Sequence, residues 1–107
     1  MGISTHILDT ATGRPAPGVT IRLERQQAGA WHPVGDGATD EDGRLRTLVP
    51  PGPVEHGTYR LTFDTRAYLG ESAFFPEVQI SFVVRDDRHH HVPLLLSPFG
   101  YSTYRGS

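Results

Sequence analysis

Six histidines fall within a chain of 107 residues: His6, His32, His56, His89, His90 and His91. Imidazole has an unperturbed pKa of about 6.5, so it can take up and return a proton near neutral pH. A single histidine is more often a surface or hydrogen-bonded residue than a catalytic one, so spacing has to carry the case. In Ser4-Thr5-His6-Ile7-Leu8, an extended chain sets Ser4, His6 and Leu8 on one face. In His89-His90-His91, it turns His89 and His91 one way and His90 the other. The triplet runs directly into Val92-Pro93-Leu94-Leu95-Leu96, so it reads as part of a strand and not as a tag. Two imidazoles on one strand face can also converge on a metal ion, although a third ligand would have to come from elsewhere, such as His6.

Two other features offer chemistry. Arg44 follows the turn Asp42-Gly43. Such an arginine is usually solvated or paired with a neighbouring acid, here Asp40 or Asp42. Its functional use is a fixed donor fork for a carbonyl or an oxyanion. The final residues, Tyr104-Arg105-Gly106-Ser107, follow the strand-like run Tyr101-Ser102-Thr103, whereas chain ends are usually frayed and polar. The plain reading of that segment is an edge strand with a short tail.

The elements that must position these residues are strands. Twelve glycines and nine prolines break the chain into short pieces, most of which alternate apolar and polar residues. Val19 to Glu24, Tyr59 to Phe63 and Val78 to Val84 keep a period of two, the pattern of half-buried strands. Tyr59, Leu61 and Phe63 are expected to face inward. Ile3 to Leu8, Trp31 to Val34, Leu45 to Val49, His89 to Leu96 and Tyr101 to Tyr104 complete about eight candidate strands, a spacing that suits a sandwich or barrel. Thr12-Gly13-Arg14-Pro15 and Asp40-Glu41-Asp42-Gly43 read as turns, and Pro50-Pro51-Gly52-Pro53 as a surface connection. Thr65 to Ser72 alone reads as helix, with Asp64 to cap its start and Gly70 to end it. Trp31, Tyr59, Phe63 and Phe82 are assigned to the core. No repeat, linker or change of composition divides residues 1–107, so a single all-β domain with one short helix is expected.

Composition excludes several classes. With no cysteine there is neither a disulfide, nor a thiol nucleophile, nor a Cys-ligated zinc site. A net charge of -2 gives no basic field for nucleic acid. No apolar run approaches the roughly 20 residues of a membrane helix. The stretch Met1 to His6 lacks the basic start and apolar segment of a signal peptide, and His6 stands where a myristoylation signal needs Ser or Thr. A cytoplasmic location is therefore expected. A chain this short buries only roughly 60–70% of its unfolded surface, so oligomerisation is a natural way to bury more.

Taken together, the motifs resemble a known family. Ser4-Thr5-His6-Ile7-Leu8-Asp9-Thr10, Gly13-Arg14-Pro15-Ala16, Thr39-Asp40-Glu41-Asp42-Gly43-Arg44, Tyr59 to Thr65, Phe74-Phe75-Pro76-Glu77-Val78, His91 to Pro98 and the closing Tyr104-Arg105-Gly106-Ser107 are similar, in order, to those of the 5-hydroxyisourate hydrolases. The resemblance implies a transthyretin-like fold of two four-stranded sheets packed face to face beside a short helix. It implies a homotetramer with substrate grooves between dimers. It implies that His6, Arg44, His91, Tyr104, Arg105, Gly106 and Ser107 line the groove, with no metal and no cofactor. It leaves His32, His56, His89 and His90 outside. Position 40, often Asn in the family, is Asp here, which reads as a substitution within the turn.

The implied reaction opens the ring of 5-hydroxyisourate, giving 2-oxo-4-hydroxy-4-carboxy-5-ureidoimidazoline in urate breakdown. Water attacking a cyclic amide must lose a proton while the carbonyl oxygen gains charge. His6 and His91 are jointly suited to the proton, and Arg44 to the oxyanion. Arg105 and Ser107 would orient substrate or water. Ser107 is a poor nucleophile candidate, because spacing gives it no partner base. Three rivals differ in class: a carrier of the same fold, a secreted β-sandwich adhesion or carbohydrate module, and a metallohydrolase built on His6, His89 and His91, which a chelator would inactivate.

Overall fold

The computed structural model describes residues 2–107; Met1, the first residue of the N-terminal stretch read above, lies outside them. Two sheets pack face to face. The strands are β1 (Ile3–Asp9), β2 (Arg14–Pro15), β3 (Thr20–Gln27), β4 (Ala30–Ala38), β5 (Arg44–Leu45), β6 (Gly57–Phe63), β7 (Val78–Val84), β8 (His90–Ser97) and β9 (Gly100–Thr103). One sheet runs β4-β3-β6-β7, and the other runs β2-β1-β8-β9 with β5 also on β1.

Period-two patterning makes the core. Val19, Ile21 and Leu23 enter from the β3 segment, Tyr59, Leu61 and Phe63 from β6, and Val78, Ile80 and Val84 from β7. Ile3 and Ile7 of β1 and Val92, Leu94 and Leu96 of β8 close it from the other sheet. Those two strands therefore turn Ser4, His6, His91 and Pro93 to the outer face of their sheet.

β1 and β8 run parallel, in register from Ile3↔His90 to Asp9↔Leu96, whereas the other strand pairs are antiparallel. The second edge of β1 is shared by two short strands, β5 opposite Thr5 and His6, and β2 opposite Leu8 and Asp9. This sharing is why the sheet has five strands where four were expected.

Residues 45–49 were expected to form a strand, but only Arg44–Leu45 pairs. The chain then leaves the edge of β1 and buries Leu48 before the proline-rich connection. Trp31, expected in the core, is half-buried on the edge strand β4, with the Arg60 guanidinium 4.4 Å above its ring. A bulge at Leu23/Glu24 shifts the register of β4 along this stretch, and a cation over an indole face accounts for the placement.

The expected helix divides into α1 (Thr65–Leu69) and a 3₁₀ turn, Gly70–Ser72. The Asp64 carboxylate accepts from the Ala67 amide to cap α1, and Gly70 ends it at φ 69°. Tyr68 on α1 donates to Asp9 Oδ2 at 2.7 Å, and Asp9 Oδ1 accepts from the Ala11 and Thr12 amides. The helix is thus tied to the end of β1. No helix among the described residues is long and apolar enough to cross a membrane.

Candidate active site

The parallel register sets Ser4 beside His91 and His6 beside Pro93. On the other edge of β1, His6 stands opposite Arg44. One hydroxyl links two imidazoles here. Ser4 Oγ lies 2.8 Å from His91 Nδ1 and 2.7 Å from His89 Nε2. His90 turns inward, is buried, and has Nε2 3.9 Å from Asp86 Oδ1.

The turn before β5 delivers Arg44. Asp40 Oδ1 accepts from the Asp42 and Arg44 amides at 2.8 and 3.0 Å, and the Gly43 amide donates to the Asp40 carbonyl at 2.9 Å. The Arg44 amide foremost, and then the Asp42 amide, hold the Asp40 carboxyl below its ordinary pKa. Aspartate therefore does the turn-closing work at this position. Gly43 has φ 73° and no room for a Cβ, which would stand 2.6 Å from the Ile7 carbonyl oxygen. The Ile7 amide donates to the Gly43 carbonyl at 2.8 Å and docks the turn on β1. Asp40 pairs at 3.9 Å with Arg46, and among the described residues no carboxylate pairs with the Arg44 guanidinium.

A cavity of about 300 Å³ results, lined by Ser4, Thr5, Arg44, Arg46, His89, His91 and Ser107. His6 is not on its wall but is close enough for its charge to act on His91. The terminal segment reaches the cavity along β8, where the Gly106 amide donates to the His91 carbonyl at 2.8 Å. A Cβ on Gly106 would stand 2.5 Å from His91 Cδ2, so only glycine lets the backbone lie against the ring.

Arg44, His91 and Ser107 are thus brought together. Tyr104 and Arg105 are not on this wall. With Gly106 they flank an adjoining hollow of about 560 Å³ that shares His89 and Ser107 with it. Tyr104 is exposed, and the Arg105 guanidinium points to Asp86 at 4.0 Å.

Burial, followed by the charges of His6, His89 and Arg44, pushes the His91 pKa below its ordinary value; burial does the same for His89. Both rings are therefore neutral at neutral pH, and neutral imidazole is the form that can take a proton. An unpaired guanidinium on the same cavity wall supplies a cationic donor fork. The arrangement can activate water and steady a developing oxyanion.

His32 and His56 lie elsewhere, bonded to the Gln27 carbonyl and to Asp87. No three His, Cys, Asp or Glu side chains converge as metal ligands among the described residues. Ser4, Thr5, Arg46 and His89 line the cavity without having been singled out for the groove. The available signals were the shared faces of Ser4 with His6 and of His89 with His91. Neither pattern says that the two faces meet.

The comparisons agree across the chain. The model of the HIUase/Transthyretin family matches residues 3–106. A protein of Salmonella dublin named 5-hydroxyisourate hydrolase is 46% identical over 109 residues, covering 98% of this chain and 80% of that one. The solved structure of Klebsiella pneumoniae 5-hydroxyisourate hydrolase superposes with a TM-score of 0.87 at 41% identity, covering all of both chains. Sea bream transthyretin in complex with thyroxine superposes with a TM-score of 0.91 at 32% identity, covering 99% of this chain and 95% of that one.

Proposed function

Because the chain belongs to the HIUase/Transthyretin family, we propose that it is an enzyme that hydrolyses 5-hydroxyisourate to 2-oxo-4-hydroxy-4-carboxy-5-ureidoimidazoline, a step of urate breakdown. The observation that carries the reading is the cavity in which Arg44, His91 and Ser107 meet. A carrier needs shape and apolar contact, whereas this wall is cationic and basic. Identity of 46% to a named hydrolase, against 32% to a thyroxine-bound transthyretin, points the same way.

Substrate lies in the cavity with the scissile carbonyl toward Arg44. His91 takes a proton from the attacking water at Nε2, with His6 beside it to share the proton traffic. The Arg44 fork stabilises the oxygen as it becomes anionic. The ring C–N bond then breaks, and its nitrogen receives the proton that His91 holds. Ser107 orients water or substrate from the cavity wall, and Tyr104, Arg105 and Gly106 complete the terminal segment that shapes the groove. No covalent intermediate, metal or cofactor is needed.

The working form is a homotetramer in the cytoplasm, each subunit a single domain over residues 1–107, with grooves between dimers. The family relationship and the exposed Phe74 and Phe99 support the assembly.

The test is an ultraviolet assay of freshly prepared 5-hydroxyisourate. The protein should accelerate its loss well above spontaneous decay. Identical curves with folded tetramer would overturn the enzyme and leave the ligand carrier as the reading.

A further inference from the structure

We propose that Ser4 is a positioning residue that keeps His91 Nε2 unprotonated, accepting the Nδ1–H of His91 and donating its own hydroxyl proton to His89. The inference rests on the hydrolase reading and assigns work to two residues outside the groove set that the resemblance implies.

The argument is one of proton counting. Ser4 Oγ is within hydrogen-bond distance of His91 Nδ1 and His89 Nε2 together. A hydroxyl has one hydrogen and two lone pairs; accepting from both rings would leave that hydrogen without a partner among the described residues, so Ser4 donates to one nitrogen and accepts an N–H from the other. Two arrangements satisfy this. In one, Ser4 donates to His91 Nδ1, and His91 turns an N–H toward the cavity. That form cannot take a proton from water. In the other, Ser4 donates to His89 Nε2, His91 Nδ1–H donates to Ser4, and Nε2 is a bare base.

Arg44 lines the same cavity as His91, and its cation favours the second arrangement, because it repels an N–H turned into that cavity and attracts a lone pair. Proton uptake favours it too. When Nε2 is protonated, Nδ1–H is already in place on Ser4, and no hydrogen bond has to rearrange. Ser4 is 7% exposed, so few waters can compete for its hydroxyl. His89 lies just outside β8 and is exposed, yet its Nε2 is the acceptor that fixes the direction of the hydroxyl. The nitrogen that carries the proton on a working imidazole is set by the bond its other nitrogen makes.

The experiment combines imidazole ¹⁵N shifts with kinetics on the intact protein. In histidine-labelled wild type at neutral pH, His91 should show a protonated Nδ1 and a bare Nε2. Ser4→Ala should mix the tautomers and lower kcat by about 10- to 100-fold with little change in KM. His89→Ala should mix them likewise, and His89→Gln should restore the wild-type pattern, because its amide oxygen can accept from Ser4. His89→Ala alters an exposed side chain and serves if Ser4→Ala does not fold. An active wild type with His91 protonated at Nε2, or variants with unchanged tautomer and full kcat, would overturn the proposal. A wild type that does not speed the reaction would instead overturn the hydrolase reading, and the shifts would still report the tautomer.

Discussion

Gly106 lies so close to His91 that its Cα has no room for a methyl group: a Cβ there would stand 2.5 Å from Cδ2 and 3.2 Å from Cγ of the ring. The same pair is joined by the Gly106 amide and the His91 carbonyl at 2.8 Å. Gly106→Ala must therefore push the imidazole aside or lift the terminal segment. A displacement near 1 Å at a reacting group can cost about 100-fold in rate. A loss of that order in kcat/KM is expected, with the melting temperature nearly unchanged because the core strands are untouched. Activity and thermal melts on the same preparation check it.

His91→Ala and Arg44→Ala should each lose activity on the order of 100- to 1000-fold, the typical cost of removing a general base or an oxyanion donor. His90→Ala acts differently. His90 is buried and faces away from the cavity, so its loss should lower stability more than kcat. Steady-state kinetics beside denaturation curves separate the two effects.

The pH dependence has a definite sign. His91 has its pKa lowered by burial and by the charges of His6, His89 and Arg44. The neutral form, the one proposed to act as base, therefore persists to lower pH than in a free histidine. The acid limb of kcat/KM should fall below the ordinary value of about 6.5. Removing the charge with His6→Gln should raise the His91 pKa back toward that value, as read by NMR titration of its ring proton. Folded His91 binds a proton less readily than the unfolded chain. Its contribution to stability is accordingly lost as pH falls through 6.5 toward the lowered value.

Tyr68→Phe tests the anchor of α1. Burial, followed by Asp9, pushes the Tyr68 phenol up to about 12, so it remains a donor at neutral pH. Asp9 is only 5% exposed and would lose one of three donors. A loss of about 1–3 kcal/mol is expected in chemical denaturation, with kcat little changed.

Light scattering should give four times the 11.8 kDa chain mass. A monomer at working concentration would rule out the proposed groove between dimers. It would also leave Phe74 and Phe99, 67% and 77% exposed, without cover.

The sequence by itself determined the long strands and the ends of the helix, but not the short strands β2 and β5. Period-two patterning marked Tyr59, Leu61 and Phe63 as buried, and Val78–Val84 forms a strand with the expected bounds. Asp64 and Gly70 marked the ends of α1. Family motifs pointed to the two-sheet sandwich and to His6, Arg44 and His91. Local rules sufficed because side-chain alternation, capping and turns are decided within a few residues. Only the tertiary structure decided which faces meet. Ser4 and His91 are 87 positions apart and touch because β1 pairs in parallel with β8. Arg44 stands opposite His6 because two residues of β5 hold the far edge of β1. Gly106 closes on His91 because the terminal segment stays hydrogen-bonded to β8. Register between distant strands follows from the packing of both sheets on one core, and a slip of one residue would turn every one of these side chains to the opposite face.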